Sequence, residues 1–118
     1  MSQFISITEA IDMTTLYRAN RELILTQSAK NKQILPTCES FSLAVVNQVL
    51  TQAGCQGLRV YYGMDPSLKL HAILVGYDSQ DRDMLPPLNT EAEDSGGPIV
   101  ERGTRCPDIC PPPSPLNP

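Results

Sequence analysis

The sequence predicts an α+β protein in which N-terminal helices pack on a small antiparallel sheet. Apolar residues recur at helical spacing in two stretches, 7–17 and 43–53. From residue 57 the pattern changes to alternation of apolar and polar residues, which is the period of a strand. A chain of 118 residues has room for little more than one domain. We therefore expect a single domain over residues 1–105, followed by an extended tail rich in cysteine and proline over residues 106–118.

Both predicted helices begin at a serine. Ser6 precedes Glu9 by three positions, the capping-box pattern, so the first helix should start at Ser6 and run to about residue 20, with a continuation through RELILTQ (21–27) left open. Ser42 is the expected N-cap of a second helix, whose apolar residues continue to Ala53. Gly54 should end that helix, because glycine adopts a positive φ at little cost.

A β-hairpin over residues 57–78 is predicted at the centre of the sheet. The stretch GLRVYYG alternates, GMDPS is a turn, and LKLHAILVGYD begins by alternating and then becomes continuously apolar. That apolar run predicts a second strand buried on both faces and therefore central. If the numbers of paired residues sum to about 130, His71 faces Arg59 and Lys69 faces Tyr61.

The chain after the hairpin has low apolar content. Residues 84–98 are acidic and rich in proline and glycine, which predicts a mobile loop or an extended segment laid over the sheet. Residues 99–103, IVERG, predict a short edge strand. The prolines that follow exclude a helix or a central strand. We expect the tail to run extended across the sheet or along its edge, with polyproline II structure over residues 111–113.

Charge and hydropathy disfavour two classes of partner. The net charge is −4 and the nine basic residues are scattered, so binding to nucleic acid is not expected. No apolar run approaches the roughly 20 residues of a membrane span. The stretch MSQFISITEAIDM lacks the basic and apolar regions of a signal peptide, which predicts a cytoplasmic protein with reduced thiols.

Several short motifs resemble an uncharacterised family of small bacterial proteins. The motifs are a Gly-Cys-x-Gly turn after a helix, an Arg-x-Tyr strand, a Val-Gly-x-Asp strand end and a late Cys-Pro-x-x-Cys. The residues that carry them are Gly54, Cys55, Gly57, Arg59, Tyr61, Val75, Gly76, Asp78, Cys106, Pro107 and Cys110. The resemblance covers residues 41–83 and the late cysteine motif, and it implies no activity and no catalytic residue. The turn at residues 65–67 lacks the expected glycine, and the acidic insert at 86–97 lies outside the pattern.

The pair Cys106 and Cys110 leaves three states open. Two free cysteines that shape a turn are the expectation, because a reducing compartment disfavours a disulfide. A disulfide requires Cα atoms within about 7 Å of each other. A zinc site needs four ligands, and only Cys55 and His71 are candidates for the third and fourth, provided that the tail folds back over the hairpin.

The remaining candidates are single residues. Cys55 follows a helix C-terminus, where the helix dipole does not favour a thiolate, so a structural thiol is expected. Cys38 precedes a helix and is a better candidate nucleophile. His71 could act as a general base, but a sheet histidine paired with a neighbour is the commoner arrangement. Arg59, Tyr61 and His71 are candidates for an interaction surface, and no catalytic or cofactor-binding residue is assigned.

These observations favour a protein that is not an enzyme. The leading hypothesis is an oligomeric protein-interaction or assembly module that binds a protein partner or itself, since no catalytic motif is present and the hairpin is apolar enough to need cover on both faces. One alternative is a metal-binding or thiol redox protein that uses the C-terminal cysteine pair, with zinc as its cofactor. Another is a small enzyme with a cysteine or histidine in a cleft.

Overall fold

The α+β class is confirmed by a computed structural model, which describes residues 3–87 and 97–118. Two short sheets are present in this part of the chain, one of two strands in the order β1-β5 and one of three strands in the order β2-β3-β4. The elements in chain order are α1 (Ile7–Asn20), a 3-10 turn (Gln27–Ala29), β1 (Cys38–Ser40), α2 (Leu43–Leu50), β2 (Gly57–Met64), β3 (Leu70–Tyr77), β4 (Asp83–Met84) and β5 (Thr104–Cys106).

The chain divides into two compact units. The first comprises Met1–Cys38 and Arg105–Pro118, and the second comprises Glu39–Thr104. The tail that the sequence set apart at residue 106 therefore groups with the N-terminal segment. Both boundaries between the units fall inside the paired strands β1 and β5.

The first unit is built on α1. The predicted cap is confirmed: the Ser6 hydroxyl accepts a hydrogen bond from the Glu9 backbone N–H at 3.0 Å, and the helix ends at Asn20 as expected. Tyr17 of α1 and Arg21, the residue that caps its end, then bind the segment before β1. The Tyr17 hydroxyl donates to the Pro36 carbonyl at 2.6 Å and Arg21 donates to the Leu35 carbonyl at 3.0 Å. These bonds fix the return of the chain along the helix.

The C-terminal segment is held by the same unit. Arg18 donates to the Leu116 carbonyl at 2.6 Å, and the Thr37 N–H donates to the Cys106 carbonyl at 2.8 Å. A turn closes between Ser114 and Asn117, whose backbone groups pair in both directions. These hydrogen bonds tie residues 105–118 to α1 and to the segment before β1. The sequence had predicted instead that the tail runs across the sheet or along its edge.

The second unit contains the hairpin, and its predicted central strand is confirmed. β3 pairs with β2 on one side, and on the other side with β4 and, through an isolated bridge, with Val100. The expected register is wrong by four positions, since the structure pairs His71 with Gly63 and Arg59 with Val75. The turn is responsible: it closes later than expected, with the Asp65 N–H donating to the Lys69 carbonyl at 3.1 Å.

Helix α2 packs on this hairpin. Its cap is confirmed, with the Ser42 hydroxyl accepting from the Val45 N–H at 3.3 Å, but the helix ends at Leu50 and not at residue 53. Gly54 has the expected positive φ of 85° and turns the chain toward β2. Val49 is fully buried and, together with the buried strand residues Leu74 and Val75, forms the core of this unit.

The segment after the hairpin is shorter in regular structure than predicted. The expected edge strand at residues 99–103 is reduced to one bridge, in which Leu74 and Val100 exchange backbone hydrogen bonds of 2.7 and 3.0 Å. Most of the expected loop over residues 84–98 lies outside the described residues. No helix in the described ranges is long and apolar enough to cross a bilayer.

Candidate functional site

The two faces of the hairpin differ in chemistry. Side chains alternate along a strand, and directly paired residues share a face. Arg59, Tyr61 and His71, the three predicted interaction candidates, are consequently on one face. The opposite face of β2 carries Leu58, Val60, Tyr62 and Met64.

Arg59 and Tyr61 join a cluster of acidic side chains from the turn after β3. Arg59 Nη1 lies 2.5 Å from Asp83 Oδ1, and the same guanidinium pairs with the Asp81 carboxylate. The Tyr61 hydroxyl donates to Asp83, and the Arg59 Cζ lies 4.9 Å from the centroid of the Tyr77 ring. The hydrogen bond from Tyr61 and then the guanidinium lower the pKa of Asp83. The two side chains are therefore engaged within the fold.

The Tyr61 phenol should titrate late. Its hydrogen bond to Asp83 raises its pKa above the ordinary value near 10. A group whose pKa is raised by folding stabilises the fold below its unfolded pKa, and that contribution is lost as pH rises through the folded pKa. Spectrophotometric titration should show late phenols for Tyr17, whose burial raises its pKa, and for Tyr61. Tyr61→Phe should remove one of them and Asp83→Asn should shift it downward. Unchanged late titration in both variants would contradict this assignment.

His71 lies in a second cluster on the same face. Its Nε2 is 2.8 Å from Asp65 Oδ2, and its Nδ1 is 2.9 Å from Glu101 Oε1. Asp65 is held in the hairpin turn, where its Oδ1 accepts from the Ser67 and Lys69 N–H groups at 2.8 and 3.1 Å. The hydrogen bond with His71 is the main reason that the pKa of Asp65 is lowered. The imidazole is thus fixed between two carboxylates.

Glu39 completes this cluster from β1. Its Oε1 accepts from the Ala72 N–H at 2.9 Å, while its Oε2 is buried and has no hydrogen-bond partner among the described residues. The Nδ1 of His71 is also buried and unpartnered, because the nearby Glu101 oxygen lies off the direction that a hydrogen bond requires. A Cβ on Gly103 would stand 2.9 Å from Glu39 Oε2, so glycine leaves room for the carboxylate.

One member of this cluster could be found from the sequence. His71 was a candidate because it is the single histidine, but Glu39 and Glu101 carry no local signal. They are separated from His71 by about thirty residues on each side, and β1 and the bridge at Val100 bring them together. Among the described residues, Glu39, His71 and Glu101 form a group whose potential ligand atoms lie within 4.8 Å of one another.

The two C-terminal cysteines differ in bonding state from what the sequence suggested. Cys106 and Cys110 form a disulfide, where free thiols were expected. The turn brings their Cα atoms to 4.5 Å, aided by a hydrogen bond from the Ile109 N–H to the Arg105 carbonyl at 3.0 Å. Cys38 and Cys55 are free.

The predicted zinc ligands have other partners in this structure. Cys106 and Cys110 are bonded to each other and offer no thiolate, the form that binds metals. Cys55 Sγ donates to the Gly57 carbonyl at 3.4 Å, and His71 lies between Asp65 and Glu101. A four-ligand zinc site at these residues stays a prediction for the reduced chain.

The opposite face of β2 carries no motif that marks it in the sequence. Tyr62 is 74% exposed and Met64 62%, and the neighbouring Val60 and Leu58 are exposed by 42% and 39%. In the part of the chain that the structure describes, β2 is also an edge of its sheet. We call Leu58, Val60, Tyr62 and Met64 the β2 stripe. Contiguous exposed apolar side chains of this kind are typical of interaction surfaces.

Comparison of the chain with protein-family models, with curated proteins and with solved structures found no match. The resemblance to the bacterial family stays a prediction.

Proposed function

We propose that the chain is a protein-interaction module that assembles with a second copy of itself through strand β2. The observation that supports this most strongly is the coincidence of an exposed sheet edge with the apolar β2 stripe. An edge strand offers unpaired backbone groups to another strand, and an apolar face beside it adds burial to that pairing.

The sequence of β2 itself carries few of the usual protections of an edge strand. Residues 57–64 contain no proline and no lysine, the residues that commonly block edge pairing. Their single charged side chain, Arg59, points to the other face and is neutralised by Asp81 and Asp83. β2 is eight residues long, whereas β4, the strand at the other edge of the sheet, has two residues. These features favour the pairing of β2 with a strand of another chain.

A second copy is the partner that fits the pattern of the stripe. In an antiparallel pair of two β2 strands related by a twofold axis at Tyr61, Val60 would face Tyr62 of the copy and Leu58 would face Met64. Such an interface uses the same surface twice and is closed, as in most homodimers. An aromatic residue opposite a β-branched one is a favourable cross-strand pair.

Sedimentation equilibrium of the wild type and of a stripe variant tests the proposal. At about 100 µM, a range suited to small interfaces, the wild type should contain dimer. The double variant Tyr62→Lys with Met64→Lys should be monomeric, because each lysine would face an apolar residue of the copy and cannot be buried unpaired. Ile24→Lys is the matched control, since Ile24 is equally exposed at 73% but lies in the other unit. A wild type that is monomeric under these conditions, or a stripe variant that dimerises like the wild type, would refute self-association.

The compartment is a separate question. A disulfide between Cys106 and Cys110 favours an oxidising environment, whereas the sequence favoured the cytoplasm. The proposed self-association does not depend on the compartment. The β2 stripe lies in the second unit and the disulfide in the first.

A further inference from the structure

We propose that Glu39, His71 and Glu101 form a binding site for a divalent transition-metal ion, with zinc as the preferred ion, and that Asp65 orients His71 for this role. The site lies within the second unit and uses the face of the hairpin opposite to the β2 stripe. It is therefore independent of the proposed self-association.

The positions of the donor atoms fit a small cation. One imidazole nitrogen and two carboxylates contribute ligand atoms that all lie within 4.8 Å of one another. Zinc binds histidine nitrogen and carboxylate oxygen at about 2.0–2.2 Å, so that tetrahedral ligands stand about 3.4 Å apart. His71 Nδ1 and Glu101 Oε1 are 2.9 Å apart and need only a small separation to admit the ion.

The contact with Asp65 resembles the outer shell of known metal sites. A metal-binding histidine commonly donates its second ring N–H to a carboxylate, which fixes the tautomer and the ring orientation. Here Nε2 lies 2.8 Å from Asp65 Oδ2, and the backbone N–H groups of Ser67 and Lys69 hold that carboxylate. With the proton on Nε2, Nδ1 keeps a lone pair that is available to a metal ion.

Two buried atoms provide an independent observation. His71 Nδ1 and Glu39 Oε2 are both buried, and within residues 3–87 and 97–118 neither has a hydrogen-bond partner. Leaving a buried polar atom unpaired costs free energy, more so for a carboxylate oxygen. Three carboxylates also gather around one imidazole, which carries at most a single positive charge. A divalent cation bound by Nδ1 and Oε2 would satisfy both atoms and offset the negative charge.

The ligand types indicate the class of ion. An imidazole nitrogen favours zinc and other late transition metals over magnesium and calcium, which prefer all-oxygen sites. Three protein ligands leave a further position for water or for a ligand from solution. We therefore expect zinc and cobalt to bind more tightly than magnesium.

Metal titration of the full chain tests the site. The background should carry Cys38→Ser and Cys55→Ser, so that free thiols cannot bind zinc, and no reductant should be added, so that the disulfide stays closed. Calorimetry with zinc and absorption spectroscopy with cobalt should both report one ion per chain. Asp65→Asn should weaken zinc binding by about 10-fold to 100-fold, the range found for residues that orient a metal ligand. His71→Ala and Glu39→Gln each remove a ligand and should weaken binding by more than about 100-fold.

The controls separate a built site from incidental binding. Asp81→Asn removes an exposed carboxylate from the turn after β3 and should leave the affinity unchanged, as should the stripe variant Tyr62→Lys with Met64→Lys. Circular dichroism should establish that each variant is folded. Zinc should raise the thermal midpoint of the background chain but not of Glu39→Gln. Failure to bind zinc, or affinity that survives both His71→Ala and Glu39→Gln, would overturn the proposal.

Discussion

Replacement of Gly76 by valine is expected to lower the free energy of unfolding by about 2–3 kcal/mol. Gly76 lies in β3 where the end of α2 crosses it, and a Cβ there would stand 3.0 Å from Cys55 Sγ and 3.1 Å from Gln52 Nε2. It would also lie 3.5 Å from a methyl group of the fully buried Val49. A branched side chain must push the helix away from the sheet. Denaturant unfolding of the two proteins measures the change.

A smaller substitution provides the control for this prediction. Gly76→Ala should cost less than valine, and part of its cost should disappear when Cys55→Ala removes the nearest atom. The double-mutant cycle should therefore show a favourable coupling between the two positions. If Gly76→Val unfolds at the wild-type denaturant concentration, the packing of α2 on the hairpin is not as described.

Replacement of Cys110 by serine is expected to lower the free energy of unfolding of the oxidised protein by about 2 kcal/mol, the value that chain entropy assigns to a loop this short. The disulfide closes residues 106–110, and Cys106 is buried in the first unit beside Asn117, whose amide donates to its sulfur at 3.6 Å. Without the bridge the segment that carries Leu116 should also become more accessible. Denaturant unfolding together with limited proteolysis measures both effects.

Reduction of the wild type is the matched control. It should reproduce the destabilisation of Cys110→Ser and should not affect that variant further. A thiol assay on the unfolded, unreduced wild type should find two reactive thiols, from Cys38 and Cys55, and four after reduction. Four thiols before reduction, with equal stabilities for wild type and variant, would contradict the disulfide.

The elements that the sequence predicted best are those set by local interactions. Both helix starts were predicted because a serine hydroxyl caps backbone groups only three residues away. The central position of β3 followed from its continuous apolar run. The register of the hairpin failed because it depends on where the turn closes, and Asp65 and Lys69 close it by hydrogen bonds that composition does not reveal.

The candidate sites were harder to predict because they depend on pairing between distant segments. Nothing near Glu39 or Glu101 indicates that each lies beside His71, since that proximity arises from strand β1 and from the bridge between Leu74 and Val100. The alternation of β2 predicts an apolar face but does not show whether another part of the chain covers it. Only the sheet order, with β2 at an edge, leaves Tyr62 and Met64 exposed.

Amide hydrogen exchange at two chain concentrations tests the central claim, self-association through β2, most directly. Raising the concentration about tenfold into the range of small interfaces should slow exchange at those amides of residues 57–64 that do not point toward β3. Amides of α1 should exchange at the same rate at both concentrations, and the variant Tyr62→Lys with Met64→Lys should show no dependence on concentration. If the β2 amides of the wild type exchange equally fast at both concentrations, β2 does not pair with a second copy.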